Sequence, residues 1–206
     1  PDAFTGLAQE GPGSYQLTPR NGLRCSAAGA YLRPARSRGN LAVATDAYAT
    51  SIVLEGARAV GVRYVQGGVG REARARREVI VSAGGLQSPQ LLQLSGIGPA
   101  DLLQSRGIPV VNALAGVGAN LQDHLQARVI YRCTQPITTN DDLRHWHRRM
   151  AVGLKWLLQR RGPLAIAINQ GGVFARVMPD SKTPDVQFHF GTLSADLAGA
   201  KPHDFP

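Results

Sequence analysis

Short apolar runs separated by glycine-containing turns form the pattern of the chain's first half. Residues 52–54 and 60–65 are rich in β-branched side chains, and the residues between them include Gly56. This arrangement predicts a β-hairpin, because a strand, a short turn and a second strand follow one another directly. Residues 72–76 alternate in polarity and predict a third antiparallel strand. A further β-branched run, residues 79–81, predicts another strand.

The last of these strands is predicted to pass through a turn of very small side chains into a helix. The turn is residues 82–85, and Ser88 with Pro89 then offers a capping hydroxyl followed by a proline at the first helical position. Gly96 or Gly98 is expected to end the helix. In doubly wound α/β folds a nucleotide docks at such a turn, because peptide N–H groups point outward, but many of these turns are plain connections.

Longer-period and alternating patterns follow in the second half. Residues 99–107 predict a short helix, and residues 108–111 and 127–132 predict strands. Residues 143–161 form the clearest helical pattern, since apolar side chains recur every three or four positions and basic side chains take the other side. Residues 184–190 alternate and predict a strand. Its two faces carry Val186, Phe188 and Phe190, and Gln187 and His189, respectively.

Composition narrows the class of protein. The chain has 206 residues, of which 43% are hydrophobic and 18% charged, so it is globular and can hold one domain or parts of two. No apolar run approaches the roughly 20 residues that cross a bilayer, so we expect a soluble, cytoplasmic protein. The sequence starts without an initiator methionine or a recognisable targeting signal, and we expect it to be an internal segment of a longer protein.

The net charge of +9 raises the question of a nucleic-acid or membrane partner. Twenty of the 23 cationic residues are arginines spread over the whole length, and no aromatic residue interleaves the densest run, residues 71–77. We therefore expect no nucleic-acid partner. The helix predicted at residues 143–161 is basic and amphipathic, a type that can lie on anionic membranes but more often has a solvated basic face. A basic module that binds nucleic acid or anionic surfaces is the alternative to an enzyme.

Few side chains are candidates for metal or acid–base chemistry. Cys25 and Cys133 are far apart in sequence and have no neighbouring histidine pair, so we expect no metal site. Asp123 and His124 are an adjacent acid–imidazole pair, which can act as a general base with its orienting group. Because the side chains of adjacent residues rarely meet, a structural role is the expectation for both.

Several segments resemble one enzyme family. Residues 84–98, GGLQSPQLLQLSGIG, resemble the second signature of the glucose-methanol-choline (GMC) family of FAD-dependent oxidoreductases. Gly85 departs from it, because the family usually has Ala, Ser, Thr or Pro there. Residues 117–124, VGANLQDH, resemble a second family segment. Residues 15–18, YQLT, and residues 21–28, NGLRCSAA, are similar to the choline-dehydrogenase-like branch.

The resemblance implies a fold class and a domain organisation. The fold is expected to be α+β or α/β: part of an FAD-binding domain of the glutathione-reductase-type Rossmann class with a β-meander, and part of an antiparallel-sheet substrate domain. Residues 1–24 would be a substrate-side segment, residues 25–125 part of the FAD-binding domain, and residues 126–206 part of the substrate domain.

The resemblance also implies site residues. The backbone at Ala49, Ser82, Ala83 and Gly84 is expected to contact FAD, and His189 is a substrate-side candidate. No catalytic residue is expected in the chain, which has neither a GxGxxG motif nor the family's C-terminal histidine motif. The substrate would be choline or another primary alcohol, and the isolated chain is expected to be inactive and to lack FAD. A scaffold that has lost its activity is a further alternative.

Overall fold

The computed structural model describes residues 9–196 and 201–204. Ten strands lie in this part of the chain: β1 (Gly11–Ser14), β2 (Pro19–Arg20), β3 (Leu23–Arg24), β4 (Ala47–Glu55), β5 (Arg58–Gln66), β6 (Val69–Arg74), β7 (Ile97–Gly98), β8 (Asn112–Ala113), β9 (Asn169–Ala175) and β10 (Val186–Gly191). The same residues contain the α-helices α1 (Arg33–Ala35), α2 (Gly84–Leu94), α3 (Ala100–Ser105), α4 (Thr139–Arg144) and α5 (Trp146–Gln159). A π-helical turn, Ala28–Leu32, runs directly into α1, and a 3-10 turn, Pro163–Ala165, follows α5.

The chain divides into two compact units. The meander unit comprises residues 42–127 and holds β4 to β8 with α2 and α3. The sheet unit comprises Pro1–Leu41 and Arg128–Pro206 and holds the other helices and strands. The sheet unit is therefore built from two segments that the whole meander unit separates in sequence.

The meander unit begins with an antiparallel sheet of order β4-β5-β6, which confirms the predicted hairpin and third strand. Ile52 and Val53 of β4 are buried, whereas every residue of β6 is exposed. Arg74 on this outer strand forms salt bridges with Glu55 and Glu72. Exposed pairs of this kind add little stability, so the unit depends on its buried apolar side chains, among them Ile52 and Val53.

Two helices and a short parallel pair complete the meander unit. α3 forms where it was expected, and its Leu103 side chain is 1% exposed. Strand β8 pairs in parallel with β7. The strand predicted at residues 108–111 is wrong, since these residues precede β8 and belong to no strand. Gly96 permits the close approach of the two segments, because a Cβ there would lie 2.5 Å from the Pro109 carbonyl oxygen.

The strand predicted at residues 79–81 is not formed among the described residues. A strand requires a neighbour that bonds its N–H and C=O groups, and no described strand pairs with these residues. The same reason applies to residues 127–132, which belong to no strand. The apolar pattern was therefore insufficient at both places, because pairing partners decide whether such a run becomes a strand.

In the sheet unit, β9 is the central strand between β1 and β10, and all three are antiparallel. β10 confirms the strand predicted at residues 184–190. β2 and β3 form a hairpin whose turn residues, Asn21 and Gly22, both have positive φ, as a two-residue turn of this type requires. The Trp156 indole of α5 donates to the Gly22 carbonyl oxygen at 2.8 Å and ties the hairpin to the helix.

The helix predicted at residues 143–161 is confirmed as α5, whereas residues 143–144 belong to a separate helix, α4. α4 starts at a capping box, in which the side chains of Thr138 and Asp141 each bond the other's backbone N–H. The chain is extended at His145, with φ −99° and ψ 129°, and α5 starts immediately afterwards. No described helix is long and apolar enough to cross a membrane.

Buried Asn140 anchors α4 through its side chain. Its amide donates to the carbonyl oxygens of Ser194 and His203, both at 3.0 Å, and its Oδ1 accepts from the Ser194 N–H at 2.9 Å. α4 is therefore anchored to the C-terminal part of the chain, while Trp156 anchors α5 to the β2-β3 hairpin. Amphipathic periodicity does not report such anchors.

Candidate functional site

The turn predicted to bind a cofactor leads directly into α2. The helix begins at Gly84, five residues before the first helical position predicted at Pro89. Ser88 lies inside the helix, and its Oγ accepts a hydrogen bond from the Ala83 backbone N–H at 3.0 Å. Pro89 lies within the helix and, lacking an N–H, leaves one intrahelical bond unmade. The predicted capping residue therefore holds the turn rather than the helix start.

This turn presents peptide backbone to its surroundings. Ser82, Ala83 and Gly84 are all exposed. Gly84 has φ +86°, a conformation that costs other residues roughly 1–2 kcal/mol, and a Cβ on it would enter open space. The N–H groups of a helix's first turn have no partner within the helix and carry the positive end of its dipole. The arrangement suits a flat or anionic group that lies against main chain.

Gln93 brings the two family-like segments together. Its Nε2 donates to the Val117 carbonyl oxygen at 2.9 Å, across 24 residues of sequence. Gly118 follows with φ +82°, and a Cβ there would lie 2.6 Å from Gln93 Nε2. The segment at residues 117–124 thus lies against α2, and a glycine is needed at its second position.

A cavity of about 420 Å³ lies beside this junction. Its lining comes from the first two turns of α2 and from the segment that Gln93 holds. The lining residues are Gly85, Leu86, Pro89, Gln90, Gln93, Gly118, Ala119 and Leu121. Gly85 makes room there, because a Cβ on it would already be in van der Waals contact, at 3.9 Å, with Leu121 Cδ1.

Ser95 fixes the far end of α2 to the meander sheet. Its Oγ accepts from the Ile52 backbone N–H at 2.8 Å and donates to the Leu91 carbonyl oxygen at 2.6 Å. Both bonds are partly buried, so they set the position of the helix relative to β4.

Ala49, the remaining cofactor-contact candidate, lies on β4 three residues before Ile52. It is exposed, and it pairs with Tyr64 of β5 just before a register shift. The inserted residue is Thr50, whose hydroxyl donates to the Arg63 carbonyl oxygen at 3.2 Å. The structure thus places Ala49 on a different element from the contiguous turn at residues 82–84, and the Ser95–Ile52 bond joins the two elements.

His189, the substrate-side candidate, belongs to the sheet unit. It is exposed on β10, and its ring stacks on Tyr15 with centroids 5.3 Å apart and planes inclined by 29°. The alternation predicted for β10 is thus observed, with His189 opposite Gly172 of the central strand.

The adjacent acid–imidazole pair has a local hydrogen bond. Asp123 accepts from the backbone N–H of His124 at 2.8 Å, and this bond occupies one carboxylate oxygen with main chain. The contact supports the structural role that was expected. Among the described residues, no group of three or more His, Cys, Asp or Glu side chains can hold a metal ion.

Three carboxylates in the sheet unit have lowered pKa values. The Arg176 side chain, through its hydrogen bond, lowers the pKa of Glu10. The Thr138 hydroxyl lowers that of Asp141, and the backbone N–H groups of Val177 and Met178 lower that of Asp185. All three carboxylates accept hydrogen bonds that stabilise loops or helix ends.

Sequence reasoning missed Gln93, Ser95 and Gly118 as residues that build this site. The two serines and glycines of residues 84–98 were visible as a pattern, but their partners at Ile52 and Val117 were not. Only the occurrence of a second family-like segment, residues 117–124, signalled that a partner segment existed.

Comparison with known proteins gives a consistent result. The GMC oxidoreductase family profile matches residues 1–126. An oxygen-dependent choline dehydrogenase from Pseudomonas fluorescens (strain SBW25) is 43% identical over 99% of this chain and 37% of its own length. The mitochondrial choline dehydrogenase of Homo sapiens is 48% identical over 91% of this chain and 31% of its own length. The chain spans about a third of the length of these relatives.

Solved structures share the fold. A formate oxidase from Aspergillus oryzae RIB40, solved for the effect of a mutation on FAD modification, has a TM-score of 0.68 and 28% identity. The match covers 81% of this chain and 29% of that one. The α+β architecture and the mixture of helices with antiparallel sheets are therefore those expected from the sequence.

Proposed function

The chain belongs to the GMC oxidoreductase family, and from this premise we propose that it is part of an FAD-dependent enzyme that oxidises a primary alcohol, choline or another. The names of its relatives support the substrate class. The observation that carries the proposal is the exposed backbone turn at Ala83 and Gly84, fixed by Ser88 and set beside a cavity.

The geometry of this turn fits a flavin nucleotide. Gly84 leaves its Cβ position open, and the first turn of α2 directs N–H groups outward. We assign the backbone of Ser82, Ala83 and Gly84, with that of Ala49 on β4, to hold FAD. When bound, FAD supplies the acceptor for the hydride that leaves the alcohol carbon.

The two units then have different tasks. The meander unit, as part of the FAD-binding domain, orients the cofactor through main-chain contacts. The sheet unit, as part of the substrate domain, contributes residues that contact the alcohol. His189 lies on the substrate side, and we assign the group that accepts the hydroxyl proton to none of the described residues.

Substituting Gly84 tests the cofactor role. In the full-length protein, Gly84→Val is expected to weaken FAD binding about 10-fold or more, because a side chain fills the space next to exposed main chain and the φ of +86° is unfavourable. Gly107→Val is the matched control, since Gly107 also has positive φ and open space around its Cβ position but lies at the end of α3.

FAD affinity is measured by quenching of flavin fluorescence, and activity by anaerobic bleaching of the flavin with choline or benzyl alcohol. Equal FAD affinity in the two variants would contradict the assignment of the turn. A purified full-length protein that binds no FAD would contradict the proposed function itself.

A further inference from the structure

On one face of the β1-β9-β10 sheet, polar side chains lie over a row of glycines. Across the sheet, Gly13 of β1 pairs with Gly172 of β9, and Gly172 pairs with His189 of β10. Residues that pair in this way lie on the same face, and so does Tyr15, two positions after Gly13. Two neighbouring strands therefore have no side chain in this row, which leaves a trough that ends at His189.

Tyr15 lies in that trough. Its backbone N–H bonds the Gln170 carbonyl oxygen at 2.9 Å and continues the β1-β9 pairing. A Cβ on Gly172 would collide with the Tyr15 hydroxyl oxygen. The glycine is thus what allows the phenol to cross the central strand and reach β10.

The phenol is fixed at its far end by two hydrogen bonds. Tyr15 Oη donates to the Phe188 carbonyl oxygen at 3.3 Å and accepts from Gln187 Nε2 at 3.1 Å. The ring then stacks on the imidazole of His189, 5.3 Å away. A ring held in this way removes rotational freedom from the imidazole, which is otherwise exposed on a strand.

We infer that Tyr15 is a positioning residue that orients the His189 imidazole toward the alcohol substrate. Stacking occupies a face of the imidazole, whereas its nitrogen atoms lie in the ring plane, where they can bond a hydroxyl oxygen or proton. The inference rests on the proposed function, in which this side of the sheet unit faces the substrate. It adds that Gly172 serves the same purpose, because it leaves the space in which the Tyr15 ring lies.

The physical reason for such a device is orientation. An alcohol must present its carbon to the hydride acceptor and its hydroxyl to the proton acceptor at once, and a small misplacement lowers the rate strongly. A freely rotating imidazole on a strand would bind the hydroxyl in several geometries. Tyr15 restricts it to one.

The test uses the full-length enzyme, four single variants and one double variant, Tyr15→Leu with His189→Gln. Tyr15→Leu removes the ring, Tyr15→Phe keeps the ring without its hydroxyl, and His189→Gln removes the imidazole. Tyr131→Leu is the control, since Tyr131 is an exposed tyrosine of the same unit outside every helix and strand. FAD content and thermal unfolding are measured for each, together with kcat and KM for the primary alcohol that the enzyme oxidises best.

Tyr15→Leu is expected to lower kcat/KM about 3- to 10-fold, the change that an aromatic pair contributes, with FAD content unchanged. Tyr15→Phe should recover most of that loss because it retains the stack. In a His189→Gln background, Tyr15→Leu should have little further effect, since there is no imidazole left to orient. A structural role alone would not produce this dependence on His189.

The inference is overturned if Tyr15→Leu changes kcat/KM no more than Tyr131→Leu does in an active, FAD-loaded enzyme. It is equally overturned if Tyr15→Leu lowers kcat/KM by the same factor with and without His189→Gln, since the two residues would then act independently. It is also overturned if Tyr15→Phe, correctly folded and FAD-loaded, loses as much kcat/KM as Tyr15→Leu. These outcomes leave the proposed function intact. A full-length protein that oxidises no primary alcohol overturns the proposed function and this inference with it.

Discussion

The hydrogen bonds inside the meander unit and those inside the sheet unit join residues at very different separations along the chain. In the meander unit, Gln93 bonds Val117 across 24 residues and Ser95 bonds Ile52 across 43. In the sheet unit, Trp156 bonds Gly22 across 134 residues and Tyr15 bonds Phe188 across 173. The comparison teaches that the meander unit depends on a compact sequence signature, whereas the sheet unit depends on the two ends of the described chain meeting.

The largest expected effect is on the meander unit and comes from Gly96→Ala. The substitution forces an L-residue into φ +82° and places a Cβ 2.5 Å from the Pro109 oxygen, so we expect a loss of about 3 kcal/mol. Gly107→Ala, with φ +68° but open space around it, should lose only about 1 kcal/mol.

Urea unfolding of the full-length protein measures the loss, and hydrogen exchange with mass spectrometry locates it. Faster exchange is expected in peptides from residues 42–127, with those of β9 and β10 unchanged. Equal losses in the two glycine variants would show that the contact of Gly96 with residues 109–111 carries no energy.

A smaller effect is expected from Ser95→Ala, which tests the bond between α2 and the meander sheet. The change leaves the partly buried Ile52 N–H without its acceptor and should cost about 1–3 kcal/mol. The control is Ser105→Ala, whose exposed hydroxyl bonds only the Leu102 carbonyl oxygen and should cost less than about 0.5 kcal/mol.

The same unfolding measurement, with FAD content beside it, separates the two serines. A Ser95→Ala protein as stable as the Ser105→Ala protein would place the attachment of α2 elsewhere.

The smallest effect concerns the sheet unit and is a dependence on pH. Glu10, Asp141 and Asp185 have folded pKa values below their ordinary values of 4.5, 3.8 and 3.8, so their ionised forms stabilise the fold. Their contribution is present above those ordinary values and is lost as the pH falls through the lower folded values. The amides of β9 and β10 should therefore lose protection below about pH 4, when their exchange rates are compared with those of the unfolded chain at the same pH.

The variant Asp185→Asn should reduce this acid sensitivity and lower stability at neutral pH, because the amide accepts more weakly from the Val177 and Met178 N–H groups. An acid transition that appears first in the meander unit would contradict the assignment to these three carboxylates.

The sequence predicted elements best where local chemistry alone decides them. The β4-β5 hairpin, α3 and β10 follow from alternation, turns and helix ends, all within a few residues. Residues 79–81 and 127–132 failed because a strand needs a partner that their own pattern does not contain. α4 was not predicted as a separate helix, and the bonds of Asn140 and Trp156 to distant carbonyl oxygens were not predicted either, because periodicity encodes neither.

The candidate site divides in the same way. The turn at residues 82–85 was recognisable because small residues, a Ser-Pro pair and a Ser-Gly-Ile-Gly run are specific at fixed spacing. The role predicted for Ser88 was wrong. It was expected to be the N-cap residue, but it lies inside α2 and its hydroxyl accepts from the Ala83 N–H. Gln93 and Tyr15 escaped notice because their partners lie far away in sequence.

The pairing of β1 with β9 has a consequence for synthesis on the ribosome. Gly11 must wait until Phe174 has been made before its strand can pair, whereas residues 42–127 are complete much earlier. Because compact units fold as they emerge, β1 stays unpaired with β9 while the whole intervening meander unit forms. Chaperones that shield extended segments would therefore act on β1 during the interval before β9 is made.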